Sequence, residues 1–128
     1  MKRILIIDDD EFILLGLSKA LSVSAGEAEV LTARHGKEAV EILRTRTVDV
    51  IVTDLRMPIM NGYEVVDFAN RNCPETLVYV MTGDCLPEVM PRFRRSVVER
   101  FVSKPFSFHG LAADISAKLA SAKIPVLA

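Results

Sequence analysis

The sequence predicts an α/β domain in which five helices cover a doubly wound, five-stranded parallel sheet. The chain has 128 residues, close to the usual length of one domain, and 50% of them are hydrophobic, which is enough for a compact core. Short apolar runs of strand length alternate with segments whose apolar residues recur at helical spacing. The strand-like runs are apolar at successive positions, which is typical of parallel strands buried on both faces.

Composition and charge exclude several classes of protein. The 16 basic and 17 acidic residues give a net charge of -1, so the chain lacks the positive charge with which proteins attract nucleic acids. The apolar runs are too short to cross a bilayer, and no signal-peptide cleavage site follows Met1-Lys2-Arg3. Cys73 and Cys85 lack the spacing of a zinc site and are expected to be reduced packing residues. We therefore expect a cytoplasmic protein with neither direct nucleic-acid binding nor membrane insertion.

An acidic run separates the first predicted strand from the first predicted helix. The strand Arg3–Ile7 is rich in β-branched residues and ends where Asp8 begins the run. The helix Phe12–Val23 follows. Its apolar residues on one helical face are Ile13, Leu14, Leu17 and Leu21. Asp10 and Glu11 suit the amino end of this helix, where a side chain can cap it and negative charge is favoured.

The alternation continues through five more elements. They are the strand Glu29–Ala33, the helix Lys37–Arg46, the strand Val48–Thr53, the helix Gly62–Asn72 and the strand Thr76–Met81. Asp54 directly follows the third strand and Thr82 directly follows the fourth. Polar side chains therefore stand at both of these strand ends.

The segment from residue 83 to residue 95, where a fourth helix is expected, contains two prolines. Pro87 can occupy the first turn of a helix, but Pro91 would then remove a hydrogen bond inside it. We expect a short, late-starting or distorted helix.

A fifth strand and a fifth helix close the chain. The strand Val97–Val102 ends at Ser103-Lys104-Pro105, and the helix Ser107–Ser121 can be capped by Ser107. Residues 122–128 are predicted to form a short C-terminal tail, so that the domain spans residues 1–121. Because the tail is too short for an output domain, we expect a free-standing module.

Reactive side chains stand at the carboxyl ends of four predicted strands. They are Asp8, Asp9, Asp54, Thr82 and Lys104. In an open parallel sheet the strand ends meet in one crevice, which is where such sheets bind ligands. Three crowded carboxylates repel one another unless a cation neutralises them, and Mg²⁺ is the expected cation. Metal, lysine and hydroxyl would then surround a phosphoryl group while a carboxylate attacks it, which predicts an acyl phosphate.

These strand ends belong to motifs that resemble the receiver domain of two-component response regulators, of the single-domain chemotaxis type. The motifs are Ile4-Leu5-Ile6-Ile7-Asp8-Asp9-Asp10, Asp54-Leu55-Arg56-Met57-Pro58-Ile59-Met60-Asn61-Gly62, Met81-Thr82-Gly83 and Lys104-Pro105-Phe106. The resemblance covers nearly the whole chain and implies a flavodoxin-like fold with strand order 2-1-3-4-5. It also implies a cis Lys104-Pro105 peptide bond.

The resemblance implies a role for each of these site residues. Asp54 would accept a phosphoryl group from a phosphohistidine of a sensor kinase or phosphotransfer protein in a phosphorelay. Mg²⁺ would be bound by Asp9 directly, by Asp8 through water, by Asp54 and by the backbone carbonyl of Arg56. Thr82 and Lys104 would bind the phosphoryl oxygens. The protein would catalyse only its own phosphorylation and dephosphorylation.

The resemblance also implies a switch. Thr82 would move toward the phosphoryl group and the ring of Phe101 would swing inward. These movements would change the surface made by helix 4, strand 5 and helix 5, where a downstream protein would bind. Whether phosphorylation drives homodimer formation is left open.

Two further hypotheses concern charged residues around this site and surface. Arg56 and Asp84 lie two positions beyond Asp54 and Thr82, and we expect an ion pair that slows the attack of water on the phosphorylated protein. Arginines also cluster near the expected output surface, where they either form a solvated surface or dock an acidic partner. They are Arg92, Arg94, Arg95 and Arg100.

Two alternative functions remain from the sequence. Asp8 and Asp10 have the Asp-x-Asp spacing of haloacid-dehalogenase-like phosphohydrolases, in which Asp8 would be the nucleophile, but Glu11 and Phe12 replace the Gly-Thr expected next. A pseudo-receiver that only binds partners is disfavoured because every reactive position is occupied by the expected residue type.

Overall fold

The computed structural model describes residues 1–123 and contains one five-stranded sheet with strand order 2-1-3-4-5, in which all neighbouring strands are parallel. The strands are β1 (Arg3–Ile7), β2 (Glu29–Ala33), β3 (Val50–Asp54), β4 (Leu77–Thr82) and β5 (Arg100–Ser103). The helices are α1 (Glu11–Ser24), α2 (Gly36–Thr45), α3 (Gly62–Asn72), α4 (Leu86–Val89) and α5 (Phe108–Lys123). The predicted fold class and strand order are confirmed. Residues 124–128 of the predicted tail lie outside the described residues.

The core forms one layer on each face of the sheet. Leu5 and Ile7 of β1 pack on the side of α2 and α3, whereas Ile4 and Ile6 pack on the side of α1 and α5. All four side chains are completely buried, as expected for a central strand with helices on both faces. On the second face, α1 and α5 approach so closely that a Cβ atom at Gly16 would collide with the ring of Phe108.

The expectation that all five strands are buried on both faces is wrong for the two edge strands. In β2, Glu29, Val30 and Leu31 are half-buried and Thr32 is exposed. In β5, Arg100 and Ser103 are exposed. An edge strand has a neighbour on one side only, so the helices that cover the centre of the sheet leave part of it open.

Capping side chains hold four helices at defined starting points, among them α2, where His35 accepts a 3.2 Å hydrogen bond from the backbone N–H of Glu38. Asp10 caps α1 by accepting a 2.9 Å hydrogen bond from the backbone N–H of Phe12, and Ser107 caps α5 by accepting one from Gly110 at 3.0 Å. Asn61 and Glu64 form a reciprocal capping box on α3. Because α1 and α3 begin just after β1 and β3, these caps also fix the loops at the carboxyl edge of the sheet.

The fourth helix is short, as the two prolines predict. It spans four residues, Leu86–Val89, and continues as a 3-10 helix, Met90–Phe93. Pro87 lies in the first turn, and Pro91 has no N–H with which to continue an α-helical hydrogen-bond pattern. Phe93 is buried and anchors the segment to the core.

The amino end of α3 lies directly against β3. The N–H of Gly62 donates a 3.0 Å hydrogen bond to the carbonyl oxygen of Leu55, and a Cβ atom at position 62 would collide with the carbonyl oxygen of Asp54. Only glycine allows this approach. The loop between them includes Ile59, which has a φ of 70°.

We therefore predict that Gly62→Ala destabilises the protein by about 2 kcal/mol or more, because the methyl group collides with rigid backbone rather than with a mobile side chain. Urea unfolding followed by circular dichroism measures the change. Gly83→Ala is the matched control, since no atom lies within 4 Å of a Cβ atom placed there. Equal stabilities of the two variants would contradict the prediction.

Candidate functional site

Three carboxylates meet at the carboxyl edge of the sheet. Asp54 ends β3, and Asp8 and Asp9 directly follow β1, which pairs with β3 in a register that places Ile7 beside Thr53. One carboxylate oxygen from each of Asp8, Asp9 and Asp54 lies within 4.8 Å of the others. The parallel register thus brings together residues that are more than forty positions apart in the chain.

Two of these carboxylates are withdrawn from solvent. Asp8 is completely buried, Asp54 is 8% exposed, and Asp9 is exposed. Burial raises the pKa of Asp8 above its ordinary value. The pKa of Asp54 is raised by burial and, in addition, by the negative charge of Asp8. The two buried carboxylates, Asp8 and Asp54, therefore favour a cation beside them.

Lys104 supplies part of that positive charge. Its backbone N–H donates to the carbonyl oxygen of Thr82 at 2.8 Å, which holds the residue at the end of β5 beside β4. Its ammonium group donates to Asp8 Oδ2 at 2.7 Å and lies 3.4 Å from Asp54 Oδ1. Burial alone would lower the pKa of Lys104, but the hydrogen bond to Asp8 and the charge of Asp54 raise it. Three ionised carboxylates and one ammonium sum to a charge of -2.

Thr82 is buried at the end of β4, one residue beyond the position that pairs with Asp54. Its hydroxyl oxygen accepts a 3.0 Å hydrogen bond from the backbone N–H of Asp84. The structure thus brings Asp8, Asp9, Asp54 and Lys104 together and places Thr82 at the end of β4, with its hydroxyl bonded to the loop that follows.

An open cleft of about 520 Å³ lies at the mouth of this cluster, with Asp9 in its lining. Across it, Arg56 Nε donates to Asp84 Oδ2 at 2.8 Å, which confirms the predicted ion pair. A larger cleft of about 770 Å³ opens at the opposite edge of the sheet, lined by residues such as Lys2 and Asp49. Asp8, Asp9 and Asp54 do not line this larger cleft.

The same cleft contains a contact that the sequence did not predict. The guanidinium carbon of Arg92 lies 4.0 Å from the centre of the Tyr63 ring, and Arg92 Nη1 donates to the Tyr63 hydroxyl at 3.1 Å. Tyr63 follows Gly62 at the start of α3. Its position directly after the Asp54 motif is the one sequence signal that could have indicated a residue near the site. Of the other clustered arginines, Arg100 pairs with Asp114 at 3.5 Å.

The residue expected to switch, Phe101, is half-buried and packs edge-on against Phe93, with ring centres 5.4 Å apart. Phe93 stacks in turn on Tyr63 at 5.0 Å. A row of three aromatic rings therefore connects α3, the 3-10 helix and β5. The Lys104-Pro105 peptide bond on the same strand end is cis, as expected.

The family model of the response regulator receiver domain matches residues 4–116. The chain belongs to the response regulator receiver family. Among similar curated proteins, a response regulator receiver protein of Anaeromyxobacter sp. (strain Fw109-5) is 32% identical over 105 residues, covering 82% of this chain and 43% of that protein. A protein-glutamate methylesterase/protein-glutamine glutaminase of Bacillus licheniformis is 37% identical over 90 residues, covering 70% of this receiver domain and 22% of that protein.

Solved receiver domains share the fold. A CheY-like receiver domain protein from Methanospirillum hungatei JF-1 superposes with a TM-score of 0.85 at 26% identity, covering 94% of this chain and 95% of that one. The BeF3-activated receiver domain of DrrB superposes with a TM-score of 0.83 at 27% identity, covering 94% and 98%. The matched part of this chain spans 43%, 22% and 50% of the length of three of the curated relatives, which are longer proteins. Among residues 1–123, no helix combines the length and apolarity needed to span a membrane.

Receiver domains generally bind Mg²⁺, and the donor groups of this chain fit that ion. The carboxylates are hard oxygen donors, which Mg²⁺ prefers. Asp8, Asp9, Asp54 and the backbone carbonyl of Arg56 are the groups that would hold it. Lys104 compensates only one of the three negative charges. A divalent cation would relieve the repulsion that remains among the carboxylates.

We predict that Mg²⁺ raises the thermal stability, because it binds the folded carboxylate cluster and not the unfolded chain. At a free Mg²⁺ concentration ten times the dissociation constant, the free energy of unfolding rises by about 1.4 kcal/mol. Differential scanning fluorimetry with Mg²⁺ or with EDTA measures the shift. Asp9→Asn should reduce it, whereas Asp67→Asn, an exposed carboxylate paired with Arg71, should retain it. An identical melting temperature with and without saturating Mg²⁺ would contradict the assignment.

Proposed function

We propose that this receiver domain accepts a phosphoryl group on Asp54 from the phosphohistidine of a sensor kinase or phosphotransfer protein, and that phosphorylation switches its output surface. The position of Asp54 carries the proposal. Its carboxylate lies within 4.8 Å of Asp8 and Asp9 and 3.4 Å from the Lys104 ammonium, and Asp9 lines an open cleft. Phosphoryl transfer needs mainly positioning and charge neutralisation, and this cluster offers both.

In the proposed reaction a carboxylate oxygen of Asp54 attacks the phosphorus atom in line with the P–N bond to the donor histidine. A P–O bond forms, and the imidazole, already protonated on its other ring nitrogen, leaves neutral with the electron pair of the broken P–N bond. Lys104 orients the carboxylate and can pair with a phosphoryl oxygen on the same side. Mg²⁺ held by the carboxylate cluster would neutralise charge on the phosphoryl oxygens. Asp8 keeps Lys104 in place, because the 2.7 Å contact fixes the ammonium between the two buried acids.

The proposed switch exchanges one partner of Thr82 for another. Its hydroxyl, which accepts from the Asp84 N–H, would donate to a phosphoryl oxygen when Asp54 is modified. Phe101 packs against Phe93 of the 3-10 helix, which follows the loop after β4, so a change in that loop alters the support of the Phe101 ring. The phosphoryl group then favours one of two packings of α4, β5 and α5, where a downstream protein target binds.

Hydrolysis with Asp8 as nucleophile is not favoured by the site. Asp8 is completely buried, and its two oxygens accept hydrogen bonds from Lys104 Nζ and the Asp10 N–H.

Under the proposal the domain has no separate substrate and acts only on its own aspartyl phosphate. We also propose a cytoplasmic location, as the sequence predicts.

The proposal predicts that acetyl phosphate with Mg²⁺ adds one phosphoryl mass to the wild-type protein and none to Asp54→Asn. Intact-mass spectrometry measures the addition. Asp67→Asn, which changes an exposed carboxylate on α3, should be labelled like the wild type. Equal labelling of wild type and Asp54→Asn would refute the assignment, and turnover of a general phosphatase substrate that depends on Asp8 would support the hydrolase instead.

A second prediction concerns the ion pair across the cleft. We expect Arg56→Ala and Asp84→Ala each to shorten the lifetime of the aspartyl phosphate, by up to about fivefold, because an exposed ion pair is a weak interaction. Loss of the phosphoryl mass with time measures the lifetime. Arg71→Ala, which breaks an ion pair on α3, is the control. Unchanged lifetimes in both cleft variants would show that the pair does not restrict water.

A further inference from the structure

Arg92 presents an ordered guanidinium to the mouth of the candidate phosphorylation site. It lines the same cleft as Asp9 and Arg56, although it comes from the 3-10 helix and not from a strand end. Tyr63 holds it on two counts, through the ring 4.0 Å from its guanidinium carbon and through the 3.1 Å hydrogen bond to the hydroxyl. Each of these contacts restricts the conformations of the Arg92 side chain, which is otherwise exposed.

Of the two arginines that line the cleft, Arg92 is the one that lacks a carboxylate partner among residues 1–123. Arg56 is paired with Asp84 at 2.8 Å, and Lys104 is paired with Asp8 and Asp54. Arg92 makes its described contacts with a neutral phenol instead. A guanidinium has five N–H donors in a planar fork, so most of them remain available to an anion that enters the cleft.

The geometry of in-line transfer indicates where such an anion would arise. Asp54 is 8% exposed and its carboxylate lies within 4.8 Å of Asp9, which lines the cleft. Asp54 therefore attacks from the protein side, and the leaving group departs toward solvent beside the cleft. When the donor is an acyl phosphate, the P–O bond to the acyl group breaks, a bond between phosphorus and an Asp54 oxygen forms, and the carboxylate leaves with the electron pair. The carboxylate carries its negative charge away without needing a proton.

We propose that Arg92 is a specificity-determining residue for the phosphodonor, which binds the departing carboxylate of an acyl phosphate. The inference rests on the proposed function, because it requires Asp54 to be the acceptor. A phosphoramidate is the contrasting donor. In its form protonated on nitrogen, the P–N bond breaks as a bond between phosphorus and an Asp54 oxygen forms, and neutral ammonia leaves with the electron pair and its three protons. Arg92 therefore favours acyl phosphates over donors with a neutral leaving group.

The test compares the second-order rate constants for phosphorylation of Asp54 by acetyl phosphate and by phosphoramidate, measured by intact mass with Mg²⁺ present. We expect Arg92→Gln to lower the rate with acetyl phosphate about fivefold, as for a partly exposed charged hydrogen bond, and to change the rate with phosphoramidate less than twofold. The ratio of the two rates is informative because a purely structural role of Arg92 would lower both together.

Two variants complete the design. Arg94→Gln removes a neighbouring exposed arginine that does not line the cleft, so its donor ratio should equal that of the wild type. Arg92→Lys keeps the charge, so its donor ratio should lie nearer to the wild type than to Arg92→Gln. An equal loss with both donors, or an unchanged ratio in Arg92→Gln, would overturn the proposal. Failure of both donors to label wild-type Asp54 would overturn the proposed function, and this inference with it.

Discussion

The site depends on one half-buried ammonium that contacts two carboxylates at the ends of different strands. Lys104 Nζ lies 2.7 Å from Asp8 and 3.4 Å from Asp54, although Asp8 is 96 positions away in the chain. Without this cation, two acids with raised pKa values would lie side by side in a protein interior. The strand order makes the arrangement possible, because β3 lies between β1 and β4 and carries its aspartate to the centre of the carboxyl edge.

Much of this arrangement could be predicted from the sequence, because its signals are local. The bounds of β1, β2 and α3 agree with the predicted ones, since each begins or ends at a change in hydrophobic pattern or at a capping residue. The prolines at 87 and 91 likewise predicted the irregular fourth helix. The position of Asp54 at a strand end followed from the same pattern, and the resemblance of its motif to receiver domains supplied its role.

The remaining features depend on how distant segments meet. The contact between Tyr63 and Arg92 joins residues 29 positions apart and is set by the turn of the 3-10 helix, for which no periodic signal exists. The exposure of β2 and β5 depends on their being edges, which strand composition alone does not show. Ile59 adopts a φ of 70°, which a β-branched residue rarely does, so residue preferences argue against the observed loop.

The close approach of α1 and α5 at Gly16 has a mechanical consequence. Because the ring of Phe108 occupies the space of the missing side chain, the two helices interlock and neither can slide without the other. On the opposite side, α4 is a single short turn, and the 3-10 helix that continues it contacts β5 through the edge-on rings of Phe93 and Phe101. We therefore expect a rearrangement that begins at the carboxyl edge to displace α4 and the 3-10 helix more than α5, which α1 holds in place.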